Sequence, residues 1–170
     1  MKKMLVSLWL ICVVILFPSC GDSDDGDQVV VDVTVHLTIE DADGNDLLEP
    51  DGANAIDASD IHLFYEVNGS KVSFESVNSG TQLDYPKGFF IGPSDGTNAF
   101  EGKHVLTIFS NPAAGDDVIT IIEVEGHEDI TLSTKVSKKN GNTVVQSIRY
   151  KGDVVWPTDG DVPKFVKVIY

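Results

Sequence analysis

The chain has 170 residues, of which 27 are acidic and 12 basic, giving a formal net charge of −15. A field of this sign repels nucleic-acid phosphates and anionic lipid headgroups, so we expect neither to bind the folded part of the chain. Both cysteines, Cys12 and Cys20, lie close to the N-terminus. The remainder therefore offers no disulfide, thiol nucleophile or thiolate metal site, and its fold must depend on a hydrophobic core.

The N-terminus has the organisation of a bacterial export signal. Lys2 and Lys3 precede an apolar run, Met4–Phe17, and the small residue Ser19 stands before Cys20. That run is shorter than the roughly 20 apolar residues that a membrane-spanning helix needs, which favours a cleaved signal. The four residues ending at Cys20, FPSC, resemble the lipobox of bacterial lipoproteins. The resemblance implies cleavage before Cys20 and acylation of its thiol; a plain signal peptide with an incidental Cys20 is the alternative.

An acidic segment separates this signal from the rest of the chain. Gly21–Asp27, GDSDDGD, has too little apolar area to fold and predicts a flexible linker. It is similar to the acidic export signal that follows the acylated cysteine in surface lipoproteins of Bacteroidota. We therefore predict a signal peptide over residues 1–19, the lipidated Cys20 with a linker over 20–28, and one domain over 29–170. The acyl chains, palmitate among them, would hold the domain to the outer membrane, facing the cell exterior.

Alternating hydrophobicity dominates the segment after the linker. In Val29–Glu40, aliphatic residues occupy every second position, which predicts one half-buried strand. Two Asn-Gly dipeptides, at 68–69 and 140–141, predict tight hairpin turns. The other predicted strands are Ile61–Val67, Lys71–Val77, Phe89–Ile91, His104–Phe109, Val118–Val124, Ile130–Ser137, Thr143–Lys151, Val154–Trp156 and Phe165–Tyr170. Val118–Val124 is apolar on both faces except at Glu123 and is therefore expected at the centre of a sheet.

The pattern as a whole is that of an all-β protein. No stretch after the linker sustains a 3.6-residue period, and turn residues separate the short strands. This combination predicts a single antiparallel β-sandwich, immunoglobulin-like or transthyretin-like. Strand order within the sheets does not follow from the sequence, and we find no internal repeat and no second domain.

Several segments of the domain resemble small surface lipoproteins of Bacteroidota. Asp41–Pro50, DADGNDLLEP, matches a D-x-x-G-N-D-L-L-x-P segment of that group, and Ile61–Gly69 matches the I-x-L-x-Y-x-x-N-G strand and hairpin that follow it. Tyr150–Trp156 and Phe165–Val168 are similar to its C-terminal part. The resemblance implies a β-sandwich lipoprotein at the cell surface, and none of these segments is a catalytic signature.

The acidic loop after the first strand is a candidate for calcium. Oxygen-bearing side chains stand at positions 1, 3, 5 and 9 of a possible calcium loop: Asp41, Asp43, Asn45 and Glu49. An EF-hand requires glycine at position 6 and glutamate at position 12, where this chain has Asp46 and Gly52, so the loop is not an EF-hand. The favoured interpretation is a turn, with Asp43-Gly44 making the bend and Leu47-Leu48 packing on the sandwich edge.

Two other patterns with chemical meaning do not fit their surroundings. Gly92–Gly96 matches the G-x-S-x-G string of a nucleophile elbow, but Pro93 lies in the turn and no helix of useful length follows. The histidines lack His-x-His or His-Glu-x-x-His spacing: His36, His62, His104 and His127. We expect outward-facing positions for them, and a zinc site could arise only from distant residues that meet in space. We therefore assign no catalytic residue and no cofactor beyond the possible calcium.

The candidate ligand-binding residues are four aromatic side chains: Tyr85, Phe89, Phe90 and Trp156. If they are exposed at one end of a sandwich, they could stack on sugar rings or anchor a protein partner. The favoured interpretation is that they close the ends of the core, where aromatic rings bury a large area.

These observations favour a non-catalytic binding or accessory module tethered to the cell surface, with a glycan or a protein as its ligand. One alternative is a small surface hydrolase acting on glycan or peptide, which requires a cleft with converging carboxylates or histidines. Another is a structural subunit that pairs with a neighbouring protein through an exposed edge strand, for which Phe165–Tyr170 is the candidate.

Overall fold

The structure, a computed structural model, describes residues 29–94, 100–157 and 163–170. The predicted signal peptide over 1–19, Cys20 and the linker over 20–28 lie outside the described residues. These ranges contain eleven strands and one helical turn, in chain order: β1 Val31–Asp32, β2 Thr34–Glu40, β3 Ile61–Val67, β4 Ser70–Ser73, α1 Phe74–Val77, β5 Phe89–Pro93, β6 His104–Phe109, β7 Gly115–Val124, β8 Ile130–Lys139, β9 Asn142–Tyr150, β10 Asp153–Trp156 and β11 Phe165–Ile169. Within the described part, no helix has the length and apolar character to cross a membrane.

The strands form two sheets that pack face to face, which confirms the predicted β-sandwich. The larger sheet has the order β1-β9-β8-β7-β3-β4, with β10 also paired to β9, and the smaller has the order β11-β2-β6-β5. Most neighbours are antiparallel as expected, but β1 pairs with β9 and β11 with β2 in parallel. Both sheets are therefore mixed, a feature that alternation of residues along single strands does not specify.

The core fills the space between the sheets with aliphatic side chains from alternate strand positions. On β2, Val35, Leu37 and Ile39 are fully buried, and they share the interior with Leu106 and Ile108 of β6. The larger sheet contributes Ile61, Leu63, Ile122, Ile130, Leu132 and Ile148, all fully buried. Each such side chain stabilises the fold by about 1.5–3 kcal/mol through removal from water, which is how a domain without disulfides is held together.

The first predicted strand is divided between the two sheets. Its alternation leads to buried residues in β2, but Val29 and Val31 are 65% and 63% exposed. The change occurs at Val33, whose carbonyl accepts hydrogen bonds from the backbone N–H and the Oγ of Ser110. The chain crosses here from β1 in the larger sheet to β2 in the smaller one. The prediction of one continuous strand over 29–40 was therefore wrong. Apolar residues occupy every second position in both β1 and β2, so the alternation does not show where one strand ends and the next begins.

The predicted strand over 71–77 also ends early. After β4, Ser73 accepts a hydrogen bond at Oγ from the backbone N–H of Ser76 and starts the turn α1. Phe74 enters the core there and meets Tyr65 edge-on, with 5.7 Å between ring centroids. Gly88 lies against this ring at a φ of +79°, and a Cβ on it would stand 2.5 Å from Phe74 Cδ2. The close approach of the chain at Gly88 thus requires glycine.

The two predicted hairpins and the central strand are confirmed. Asn68-Gly69 and Asn140-Gly141 both have positive φ at each residue, as a type I′ turn requires. Strand β7 lies between β3 and β8 in the larger sheet. Its buried residues are Val118, Thr120, Ile122 and Val124, and the intervening residues are partly exposed on the outer face.

The long loop over 41–60 closes one end of the sandwich. Leu47 and Leu48 are buried, and the backbone N–H of Leu47 bonds to the carbonyl of Ile39. The N–H of Ile56 in turn bonds to the carbonyl of Leu47. The loop is acidic on its outside, but these contacts fix it to the end of β2, and the hydrogen bond from the His104 N–H to Asp46 Oδ2 fixes it to the start of β6.

Candidate functional site

The outer face of the four-stranded sheet is largely covered. Strand alternation turns His36 and Thr107 to this face, opposite each other on β2 and β6. The ring of Phe100, from the loop before β6, packs over them and is buried. It meets Phe165 of β11 edge-on at 4.7 Å between ring centroids, and His36 at 5.9 Å. A small second apolar layer thus lies on the side of the sheet that faces away from the core.

An exposed aromatic pair lies beside this layer. Tyr85 and Phe90 stack with ring centroids 4.5 Å apart and an interplanar angle of 26°. Their exposed fractions are 41% and 36%, although each ring covers one face of the other. The ring of Phe109 also contacts Tyr85, with 6.0 Å between the two ring centroids. The pair therefore presents apolar ring surface to solvent instead of contributing to the core.

A cavity of about 190 Å³ separates Phe90 from Phe100. The imidazole Nδ1 of His36 and the hydroxyl of Thr107 lie 3.1 Å apart in its lining. The cavity is smaller than the roughly 300–1,000 Å³ typical of sites for drug-sized ligands, so it suits a single ring. Its lining is completed by Pro93, Ser94, Val105 and Pro163. We call Tyr85, Phe90 and this cavity the aromatic surface.

The structure separates the four aromatic residues predicted to bind ligand. Tyr85 and Phe90 lie together on the aromatic surface, whereas Phe89 is buried in the core. Trp156 belongs to β10 at the edge of the larger sheet and packs against the core, with Lys164 Nζ 5.6 Å from its ring centroid. Alternation in β5 explains the first difference, because Phe89 and Phe90 must point to opposite faces.

Sequence reasoning missed the cavity lining. The positions of His36 and Thr107 could have been found, because strand alternation places both on the outer face. Phe100 gave no such indication, since it lies in an irregular loop. The lining offers ring faces, an imidazole and a hydroxyl, a set that suits stacking and hydrogen bonding to an uncharged ligand.

A buried carboxylate fastens the loop over the sheet. Glu40, with a side chain only 5% exposed, forms ion pairs with Lys103 from the loop and with Lys167 of β11. Burial alone would raise the pKa of Glu40, but the hydrogen bonds and charges of the two lysines outweigh it and lower that pKa. The carboxylate therefore ties together β2, β11 and the loop that carries Phe100.

The calcium candidates are divided between a turn and a second cluster. The Asp41 carboxylate accepts hydrogen bonds from Asn45 Nδ2, from the N–H of Asn45 and from the N–H of Asp43, at 2.8, 2.8 and 3.0 Å. The hydrogen bonds from Asn45 are the main reason that the pKa of Asp41 is lowered. Gly44 follows with a φ of +84°. Asp41, Asp43 and Asn45 thus form the turn that the sequence predicts. Glu49 lines the same cavity as Asp41 and Asn45, but its carboxylate pairs with His104.

Glu49 meets His104 and Asp46. One ligand atom from each of these residues lies within 4.8 Å of the other two. His104 is the first residue of β6 and shares the inner face with Leu106, so the expectation that it faces outward was wrong. His36 and His62 do lie on outer strand faces. Among the described residues, Asp46, Glu49 and His104 are the group suited to hold a metal ion.

Comparison of the chain with protein-family profiles, with curated proteins and with solved structures gave no match in any of the three.

Proposed function

We propose that this protein is a non-catalytic binding module, anchored by acylated Cys20 to the outer surface of the cell, and that the aromatic surface binds a glycan. The linker over 20–28 would let the domain move above the membrane while keeping it at the surface. The proposal joins the N-terminal sequence pattern to the exposed stacked rings of Tyr85 and Phe90.

The observation that carries the proposal is the exposed pair Tyr85 and Phe90. Aromatic rings that close a core are buried, as Phe89 is, whereas these two keep 41% and 36% of their surface exposed. Sugar rings carry apolar C–H faces and polar edges. A ring face beside the His36 imidazole and the Thr107 hydroxyl matches both features.

The charge of the chain narrows the ligand class. A formal net charge of −15 disfavours polyanionic glycans, since like charges repel at long range. An uncharged glycan fits the described lining of the cavity, which contains no acidic or basic side chain other than His36. We therefore expect neutral sugars to bind and sulfated or uronic-acid polymers to bind poorly.

Binding is tested with the full chain in detergent on immobilised neutral glycans. We expect Tyr85→Ala and Phe90→Ala each to weaken binding about 5- to 30-fold, the equivalent of 1–2 kcal/mol. Tyr85→Phe and Phe90→Tyr keep the rings and should keep most of the affinity. Val154→Ala changes an exposed apolar residue of β10 and serves as the control. Equal binding by both alanine variants and the parent chain would exclude the aromatic surface as the glycan site.

The anchor is tested separately by labelling intact cells with radioactive palmitate and treating them with protease. We expect lipid label on the parent chain, its loss in Cys20→Ala, and digestion of the domain from outside. Unlabelled protein recovered in the periplasm or the medium would contradict the anchored location, whatever the domain binds.

A second candidate function is pairing through the edge of β11 that no strand of the described residues occupies. Lys164 and Tyr170 direct backbone groups toward β2. Alternation therefore turns the N–H and C=O of Phe165, Lys167 and Ile169 away from it. Cross-linking from a photo-reactive residue at position 169 on cells, with position 154 as control, tests whether a neighbouring protein occupies this edge. Equal cross-linking at both positions would argue against such pairing.

A further inference from the structure

We propose that Asp46, Glu49 and His104 form a binding site for a divalent transition-metal ion, with Zn²⁺ as the best fit. The site is separate from the aromatic surface and does not depend on the glycan proposal. It joins the loop over 41–60 to the first residue of β6, two parts of the chain that no motif connects.

The distances between the ligand atoms suit a tetrahedral ion. His104 Nδ1 lies 3.0 Å from Glu49 Oε2 and 3.9 Å from Asp46 Oδ2. Tetrahedral Zn²⁺ with bonds of about 2.0–2.1 Å places neighbouring ligand atoms about 3.3 Å apart. The two distances bracket this value, so small side-chain adjustments would complete three of the four bonds.

The orientation of His104 supports a metal more than a hydrogen bond. Its Nδ1 is buried and makes no hydrogen bond with any described residue, although Glu49 Oε2 is only 3.0 Å away. The oxygen must therefore lie off the in-plane axis of Nδ1, along which a hydrogen bond would form. A metal ion on that axis would be flanked by the carboxylates. It would also satisfy a buried nitrogen that otherwise costs free energy.

The backbone holds the site in place before any ion binds. Asp46 Oδ1 accepts from the N–H of Leu48 at 2.9 Å, and Oδ2 accepts from the N–H of His104 at 2.7 Å. Leu48 is buried, so the loop cannot shift without opening the core. Each carboxylate oxygen keeps a further lone pair for a metal. Such outer contacts orient metal ligands and commonly change affinity 10–100-fold.

The donor set selects the kind of ion. One imidazole nitrogen and two carboxylates suit Zn²⁺ and its neighbours, whereas Ca²⁺ and Mg²⁺ prefer oxygen ligands alone. Glu49 is 44% exposed, against 13% for Asp46 and 21% for His104. The site therefore opens to solvent on the Glu49 side, where water would supply the fourth ligand.

The test is equilibrium dialysis of the full chain in detergent against ZnCl₂ with a large excess of Mg²⁺, which suppresses uptake by general surface acidity. We expect one Zn²⁺ per chain, and tetrahedral absorption bands when Co²⁺ replaces it. Glu49→Gln, at an exposed position that leaves the fold unchanged, should weaken binding about tenfold or more, and so should His104→Gln.

The matched control is the pair His62 and Glu125, another histidine and glutamate with Nε2 and Oε1 3.7 Å apart on the surface. Glu125→Gln should leave Zn²⁺ binding unchanged. Absence of saturable Zn²⁺ uptake would overturn the proposal. So would equal losses in Glu49→Gln and Glu125→Gln, or full affinity in Glu49→Gln.

Discussion

The outer faces of the two sheets carry similar polar residues but use them differently. On the larger sheet these residues face solvent, where Lys135 pairs with Asp116 and Arg149 with Asp117. On the smaller sheet, Thr38, Glu40 and Thr107 are buried; Glu40 pairs with Lys103 of the loop that carries Phe100, and Thr107 lines the cavity beside Phe100. The alternation of polar and apolar residues along a strand identifies the face that points away from the core. It does not indicate whether that face is exposed to solvent or covered by another part of the chain. The covered face is the one that supports the aromatic surface.

Removing the Phe100 ring, which covers the outer face of the smaller sheet, should have the largest effect on the free energy of unfolding. We expect Phe100→Ala to lower the free energy of unfolding by about 3–5 kcal/mol, because a buried ring leaves a cavity. Phe64 on the outer face of the larger sheet is only partly buried, and Phe64→Ala should cost about 1 kcal/mol. Urea unfolding followed by circular dichroism measures both. Similar losses in the two variants would mean that the two outer faces are not energetically different.

Removing the buried charge should have an intermediate and pH-dependent effect. Glu40→Gln should lower the free energy of unfolding by about 1.5–3 kcal/mol near neutral pH, the usual contribution of a hydrogen bond to a charged group. Because folding lowers the pKa of Glu40 below its ordinary 4.5, its contribution is present above that pH. It is lost as the pH falls through the folded-state value.

The measurement is the urea midpoint of the parent chain and Glu40→Gln between pH 7 and pH 3. The two midpoints should converge as the medium becomes acidic. Asp116→Asn is the control on the larger sheet, where the exposed pair with Lys135 is screened by water and salt. A constant gap between the parent chain and Glu40→Gln across this range would show that the charge of Glu40 is not what stabilises the cover.

The smallest expected effect concerns a single hydroxyl. Thr38 Oγ1 is buried on the covered face and has no hydrogen-bond partner among the described residues. Thr38→Val replaces that hydroxyl with a methyl group of the same shape, so it should be neutral or stabilise by up to about 1 kcal/mol. Thr131→Val on the exposed outer face of β8 should change little. A clear loss in thermal midpoint for Thr38→Val alone would reveal a partner for this hydroxyl.

Much of the fold follows from local patterns. Alternation located β2, β3, β6 and the central strand β7, and the Asn-Gly dipeptides located both hairpins. The crossing at Val33 was missed because β1 and β2 share one period, and the parallel pairing of β11 with β2 involves residues from opposite ends of the domain. Such pairings depend on the whole packing, which no short window of sequence contains.

The candidate sites were predictable only in part. The sequence singled out four aromatic residues but favoured their closing the core, and alternation within β5 could have separated Phe90 from Phe89 beforehand. The position of Phe100 and the meeting of Asp46 with His104 depend on irregular loops. The loop over 41–60 reaches His104 through a hydrogen bond between residues 58 positions apart. Metal ligands that lie this far apart in the sequence do not form a short motif, so the sequence alone does not reveal the site.

The parallel pairing at both ends of the domain has a consequence for the rate at which it folds. The backbone N–H of Val30 donates a hydrogen bond to Asn142 Oδ1, 112 positions away. Strand β11 pairs with β2, which lies near the other end of the domain. Contacts between such distant positions slow folding, because a long loop must close before any of their energy is gained. The smaller sheet cannot be completed until β11 has been synthesised, well over 100 residues after β2. A chain shortened by β11 would leave the edge of β2 open, and we expect it to remain sensitive to proteases and prone to aggregate.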